Sequence, residues 1–204
     1  MKISMLLFAC IFASTANAGL ITSSSDSSLS GTTVIDFESQ TIGSSSSYTI
    51  GDVTFSNAGT GALEIANYTT GGVYGTSGLE LSTSAALGSF NIDFSTSVSA
   101  FGMIWGAADG YWNMNIFDDS NTLLESLFVP AQTSPYIGFI GANTTNISRV
   151  EFVGQYADWV KIDDFSYVTK STTSVPEPTS IALLGLALAG LGFSRKKAKA
   201  IQAH

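Results

Sequence analysis

Phe90-Asn91-Ile92-Asp93-Phe94 and Trp112-Asn113-Met114-Asn115-Ile116 place an apolar side chain at every second position, with Asn or Asp between. Alternation of this kind is the signature of a half-buried strand, whose successive side chains point to opposite faces. Outward from these two runs, similar short stretches recur at 33–38, 53–56, 62–65, 79–81, 98–105, 122–129, 136–140, 148–153 and 159–168. Clusters of Gly, Ser, Asn and Asp separate them, and nothing between residues 31 and 169 sustains a helical apolar repeat. Eleven short strands with such breaks predict an all-β sandwich or barrel, and the expectation is a single β-sandwich domain over residues 31–169. Asp118-Asp119-Ser120-Asn121 lacks the Gly and the distant Glu of an EF-hand loop and reads as a tight hairpin turn.

Composition narrows the function. The chain has 204 residues, 8 Lys and Arg against 16 Asp and Glu, one Cys and one His. Ser and Thr together supply 51 positions. With one Cys and one His, a Cys/His zinc site and a Ser-His or Cys-His catalytic centre are excluded. The scarcity of positive charge excludes broad electrostatic binding of nucleic acid. Residues 19–176 hold three bases against fifteen acids, a net charge of −12, so the body of the chain is a polyanion.

Both ends read as addresses. Met1-Lys2, the apolar run 3–15 and Ala16-Asn17-Ala18 form a signal peptide, with Ala16 and Ala18 marking cleavage by signal peptidase after residue 18. A lipoprotein reading at Cys10 leaves too short an apolar core before the Cys. Cleavage after Ala18 removes Cys10, so the mature chain has no disulfide in an oxidising compartment. Residues 19–30 form a Ser-rich leader and 170–180 a linker. Residues 181–194 form a short apolar anchor helix, and 195–204 a basic tail with Arg195, Lys196, Lys197 and Lys199. An apolar helix over 181–193 spans about 20 Å, against a bilayer core of about 30 Å. Snorkelling of Arg195 narrows that gap, and the basic end stays cytoplasmic by the positive-inside tendency.

Val175-Pro176-Glu177-Pro178, the short Leu/Ala/Gly-rich helix and the terminal Arg-Lys cluster resemble the PEP-CTERM sorting signal over about residues 175–199. The resemblance implies an exopolysaccharide-producing Gram-negative host, with recognition of the Pro-Glu-Pro motif by the membrane protease exosortase. It also implies transient membrane anchoring before release to the envelope or the outside.

Two acidic pairs stand out in the middle. Asp36 and Glu38, two apart, are expected on one face of the opening strand. In Val160-Lys161-Ile162-Asp163-Asp164-Phe165-Ser166-Tyr167 the apolar phase changes across Asp163-Asp164. A β-bulge there turns both apolar pairs inward and aims one acid sideways. An Asp-Phe-Glu opening strand with a closing Ile-Asp-Asp-Phe strand resembles extracellular jelly-roll modules of the carbohydrate-binding and galactose-binding-like groups. That resemblance implies a structural calcium ion between first and last strands. Its ligands would be Glu38 and Asp164, with Asp36 and Asp163 in reserve; carboxylates are suitable hard ligands.

Trp105, Tyr111, Trp112, Tyr156 and Trp159 are the aromatics able to stack on sugar rings. Tyr111 and Trp112, at a loop-to-strand junction after Asp109-Gly110, are the expected platform. These features combine into an exported envelope or extracellular-matrix protein, not an enzyme, whose sandwich is structural or adheres to exopolysaccharide. The rival is a secreted polysaccharide-cleaving enzyme working through paired carboxylates. Ice binding finds no regular Thr-x-Thr register.

Overall fold

The computed structural model describes residues 19–67, 74–83, 87–132 and 137–170. The expected signal peptide with Ala16 and Ala18, the Val175–Pro178 motif, the expected anchor and the basic tail lie outside the described residues. Among the described residues no helix is long and apolar enough to cross a membrane.

The elements are β1 (Gly19–Ile21), a 3-10 turn (Ser27–Leu29), β2 (Thr33–Ile35), β3 (Gly43–Ser45), β4 (Ser47–Ile50), β5 (Val53–Asn57) and β6 (Leu63–Ala66). There follow β7 (Glu80–Thr83), β8 (Leu87–Gly106), β9 (Trp112–Phe117), β10 (Leu123–Val129), β11 (Ile137–Asp158) and β12 (Lys161–Thr169). The described residues are almost all β, as the alternation predicts, and their strand pairs are antiparallel.

Two long strands make the sandwich. The first half of β8 pairs with β5 and with the second half of β11, which pairs in turn with β9 and then β10. From Val98 onward β8 pairs instead with β12 and with the first half of β11. Beyond β12 come β7, β6 and β3, while β1 lies along β11 and β2 along β12. Register breaks at Asn143/Ile147 and Ile147/Arg149 mark where β11 passes from one layer to the other beside β8. The alternation alone divides each of these strands in two, because Ser95–Ser97 and Asn143–Asn146 look like breaks. They are bends within continuous strands. Gly141 belongs to this region: a Cβ there would fall 2.1 Å from the Phe101 carbonyl oxygen, so only glycine lets β11 run so close to β8.

The inward phases of the strands fill the space between the layers. Phe90 and Ile92 are fully buried, as are Trp112, Met114 and Ile116. Phe90 of one layer stacks 6.1 Å from Trp105 of the other, and Phe94 lies 6.2 Å from Phe101. Each side chain of this size contributes about 1.5–3 kcal/mol on burial. Asp118–Asn121 is a tight turn: Asn121 N–H donates to the Asp118 carbonyl at 3.0 Å, and Asp118 Oδ1 accepts from Thr122 N at 2.7 Å.

The Ser-rich leader over residues 19–30 is part of the fold. Ile21 of β1 is 1% exposed and packs with Leu29 and Ala100 in a small second core. A Ser-rich segment whose buried residues, Ile21 and Leu29, lie eight apart carries no periodicity, so only the long-range pairing with β11 reveals it.

Candidate functional site

The bulge at Asp163-Asp164 is present. The β12–β8 register shifts between Asp163 and Ser166, and Asp164 takes a left-handed φ of 46°. Ile162 and Phe165 both face the core, as the phase change predicts. Asp163 is 2% exposed, while Asp164 is exposed and lines a shallow groove with Ser24, Val34, Ile104, Phe139 and Ser166.

Asp36 and Glu38 do not share a strand face. β2 ends at Ile35 because Phe37 turns into the left-handed region at φ 59°, and Asp36 Oδ1 caps the turn by accepting Glu38 N–H at 3.2 Å. Glu38 Oε1 instead accepts from Leu79 N at 3.0 Å, and Asp163 Oδ2 accepts from Ser77 N at 3.0 Å. An early acid and a late Asp thus meet on one loop, as backbone acceptors. Among the described residues no three of His, Cys, Asp and Glu gather as a metal-holding group. The geometry of Glu38, Asp164, Asp36 and Asp163 therefore gives the calcium reading no support.

Burial pushes the Asp163 carboxyl up to about 6, against the lowering effect of the Ser77 and Asp164 N–H groups. Its folded value lies above the unfolded one, so the folded state binds the proton more tightly. Stability from this group is present at low pH and is lost as pH rises from about 4 through about 6. Melts of wild type and Asp163→Asn at pH 4 and pH 7 are expected to show wild type losing about 1–3 kcal/mol relative to the variant across that window. A pH-independent difference would contradict this assignment.

A cleft of about 450 Å³ opens where β8 and β11 end and β12 begins, within the range of small-ligand sites. Tyr74, Ala107, Asp109, Asp158, Trp159 and Lys161 line it. Asp158 organises the rim: Oδ2 accepts from Gly110 N at 3.0 Å and Oδ1 from Trp159 N at 2.8 Å. Thr83 fastens β7 to the same turn, with Val160 N donating to its Oγ1 at 2.9 Å and that hydroxyl donating to the Asp158 carbonyl at 3.2 Å. Lys161 is buried; its Nζ lies 3.1 Å from Glu80 Oε1 and donates to Ser82 Oγ at 2.9 Å. Burial lowers the Lys161 ammonium from its ordinary value, and the hydrogen bond and charge of Glu80 oppose this.

On this fixed rim Trp159 is 50% exposed. Tyr156 is exposed nearby, its ring against Gly110, where a Cβ would fall 2.9 Å from the ring. Tyr111 is partly exposed and packs on Phe128 at 5.5 Å. Trp112 is a correction: it is fully buried, 5.7 Å from Trp105 and 5.9 Å from Phe90. Its place was legible, since it opens the same inward phase as Met114 and Ile116. Tyr74, Asp109, Asp158 and Lys161 were not singled out as site residues. They come from separate parts of the chain, and no local motif joins them.

Residues 174–196 match the model of the PEP-CTERM protein-sorting motif, so the tail carries that motif. It implies an exported protein sorted by an exosortase. No curated protein matches the chain by sequence. Among solved structures, the chain is similar to a family 61 carbohydrate-binding module in complex with beta-1,4-galactotriose: 13% identity, TM-score 0.40, 59% of this chain and 90% of that one. It is also similar to a mutant family 29 carbohydrate-binding module, with 11% identity, TM-score 0.35, 72% of this chain and 98% of that one. A family 6 module gives 18% identity and TM-score 0.28, over 68% of this chain and 94% of that one.

Proposed function

We propose that the protein is exported with cleavage after Ala18, held briefly in the inner membrane by residues 181–194, and released to the envelope or extracellular matrix by exosortase processing near Pro176-Glu177-Pro178. In that setting the sandwich binds exopolysaccharide without cleaving it. The observation that carries the binding reading is the cleft: a half-exposed Trp159 on a rim fixed by Asp158, beside Tyr74 and the polar groups of Asp109 and Lys161. A flat aromatic face with a few convergent polar groups suits a sugar ring, whose face is apolar and whose edge carries hydroxyls.

Asp158 serves the rim: each of its oxygens accepts a backbone N–H, and the residue is 7% exposed. The net charge of −12 over residues 19–176 disfavours polyuronates and sulfated chains and favours neutral or amino sugars. The experiment incubates the exported protein with neutral, amino-sugar and uronate polymers. Retention on a neutral or amino polymer with no released oligosaccharide is expected. Product release, or no retention on any polymer, would overturn the reading.

A further inference from the structure

Gly19 of β1 is the residue that the proposed cleavage would make the amino terminus. Gly19 pairs with Asn143, and Gly19 N donates to Asn143 Oδ1 at 2.9 Å. The Asn143 amide has a fixed orientation, because its Nδ2 donates to Ser28 Oγ at 2.7 Å. Ser28 is itself held in the 3-10 turn, where Asp26 Oδ1 accepts its N–H at 2.9 Å. A backbone N–H can only donate, so the oxygen of Asn143, rather than its NH2, faces Gly19 N. Glycine is required opposite it, since a Cβ on residue 19 would fall 2.5 Å from that oxygen. Two residues on, the buried Ile21 locks the strand against Leu29 and Ala100.

We infer that Asn143 and Ser28 form a receptor for the α-ammonium group that signal-peptide removal creates on Gly19. Resting on the cleavage reading above, the inference makes processing a step in completing the fold. Hydrolysis of the Ala18–Gly19 bond turns the secondary amide nitrogen that already donates to Asn143 into a primary ammonium. A charged donor makes the shorter and stronger bond, roughly twice the strength of a neutral pair. The chain's own amino terminus is the ligand, and the strand next to it is the anchor.

The test uses the protein exported with its own signal sequence. Its amino terminus is sequenced, and its melting temperature is read at pH 6.5, where an ordinary α-amine of pKa about 7.7–8.0 is protonated. The measurement is repeated after selective transamination, which converts an amino-terminal glycine to its aldehyde and leaves lysines intact. Loss of the ammonium is expected to lower the wild-type melting temperature by about 2–4 °C. The shift should be larger in Asn143→Asp, where the ammonium meets a full charge, and should vanish in Asn143→Ala. A Gly19 terminus with equal shifts in wild type and Asn143→Ala would overturn the capture while leaving the cleavage reading intact. A terminus elsewhere would overturn both.

Discussion

Lys161→Met is expected to destabilise the sandwich by about 3–5 kcal/mol, because it leaves the Glu80 carboxylate buried without its counter-charge. Glu80 is 1% exposed and Lys161 3% exposed, so neither charge is screened by water. For a domain of this size the loss corresponds to a fall in melting temperature of roughly 6–20 °C. Adding Glu80→Leu removes the stranded charge, and the double variant should regain most of the lost stability, since apolar replacements of a buried pair are often neutral or better. Thermal melts of the single and double variants check this. Equal losses in both would mean that the Lys161 ammonium acts through Ser82 and the charge of Glu64 rather than by neutralising Glu80. The same pair bears on the site, because Lys161 reaches the cleft from β12 while Glu80 and Ser82 hold its head from β7. Cleft and core thus share a strand junction.

Trp105→Ala should cost about 3–5 kcal/mol, the range for removing a large aromatic from a packed core. Trp105 is fully buried and sits within 5.1 Å of Phe152, 5.7 Å of Trp112 and 6.1 Å of Phe90, measured between ring centroids. It belongs to one layer and these three rings to the other, so the cavity opens at the seam between sheets. Chemical denaturation should show a lower midpoint with unchanged slope. A loss below about 1 kcal/mol would mean that the rings close over the gap. Trp105 also lies next to Gly106, where β8 ends at the cleft, so softening here should loosen the rim.

What was readable in the chain was local. Phe90, Ile92 and Phe94 announce their strand because one face is dry and the other wet. The phase change at Asp163-Asp164 announces its bulge, because no straight strand could bury Ile162 and Phe165 together. Trp112 was misassigned to the surface, although its own alternation placed it inside. Other features were not local. The bend of β8 between Phe94 and Val98 is written in Ser and Thr, which also write loops, and only pairing to β5 on one side and β12 on the other shows the strand continuing. β1 owes its existence to β11, more than a hundred residues away, through the Gly19–Asn143 bond. The cleft was least legible, since Tyr74, Asp109, Asp158 and Lys161 meet only after the strands have paired. The carboxylates at 36, 38, 163 and 164 were visible, but their roles were not. A carboxylate that accepts a backbone N–H looks the same in sequence as one that binds a cation.

The most direct test of the glycan-binding account is the affinity of the full chain for the polymer that retains it, measured by titration calorimetry with and without Trp159→Ala. Truncation of a central aromatic anchor removes about 2 kcal/mol or more of binding energy, a loss of roughly thirtyfold. The account predicts that loss with an unchanged melting temperature, since Trp159 is half exposed and lies outside the ring cluster of the core. Unchanged affinity in a folded Trp159→Ala protein would contradict it.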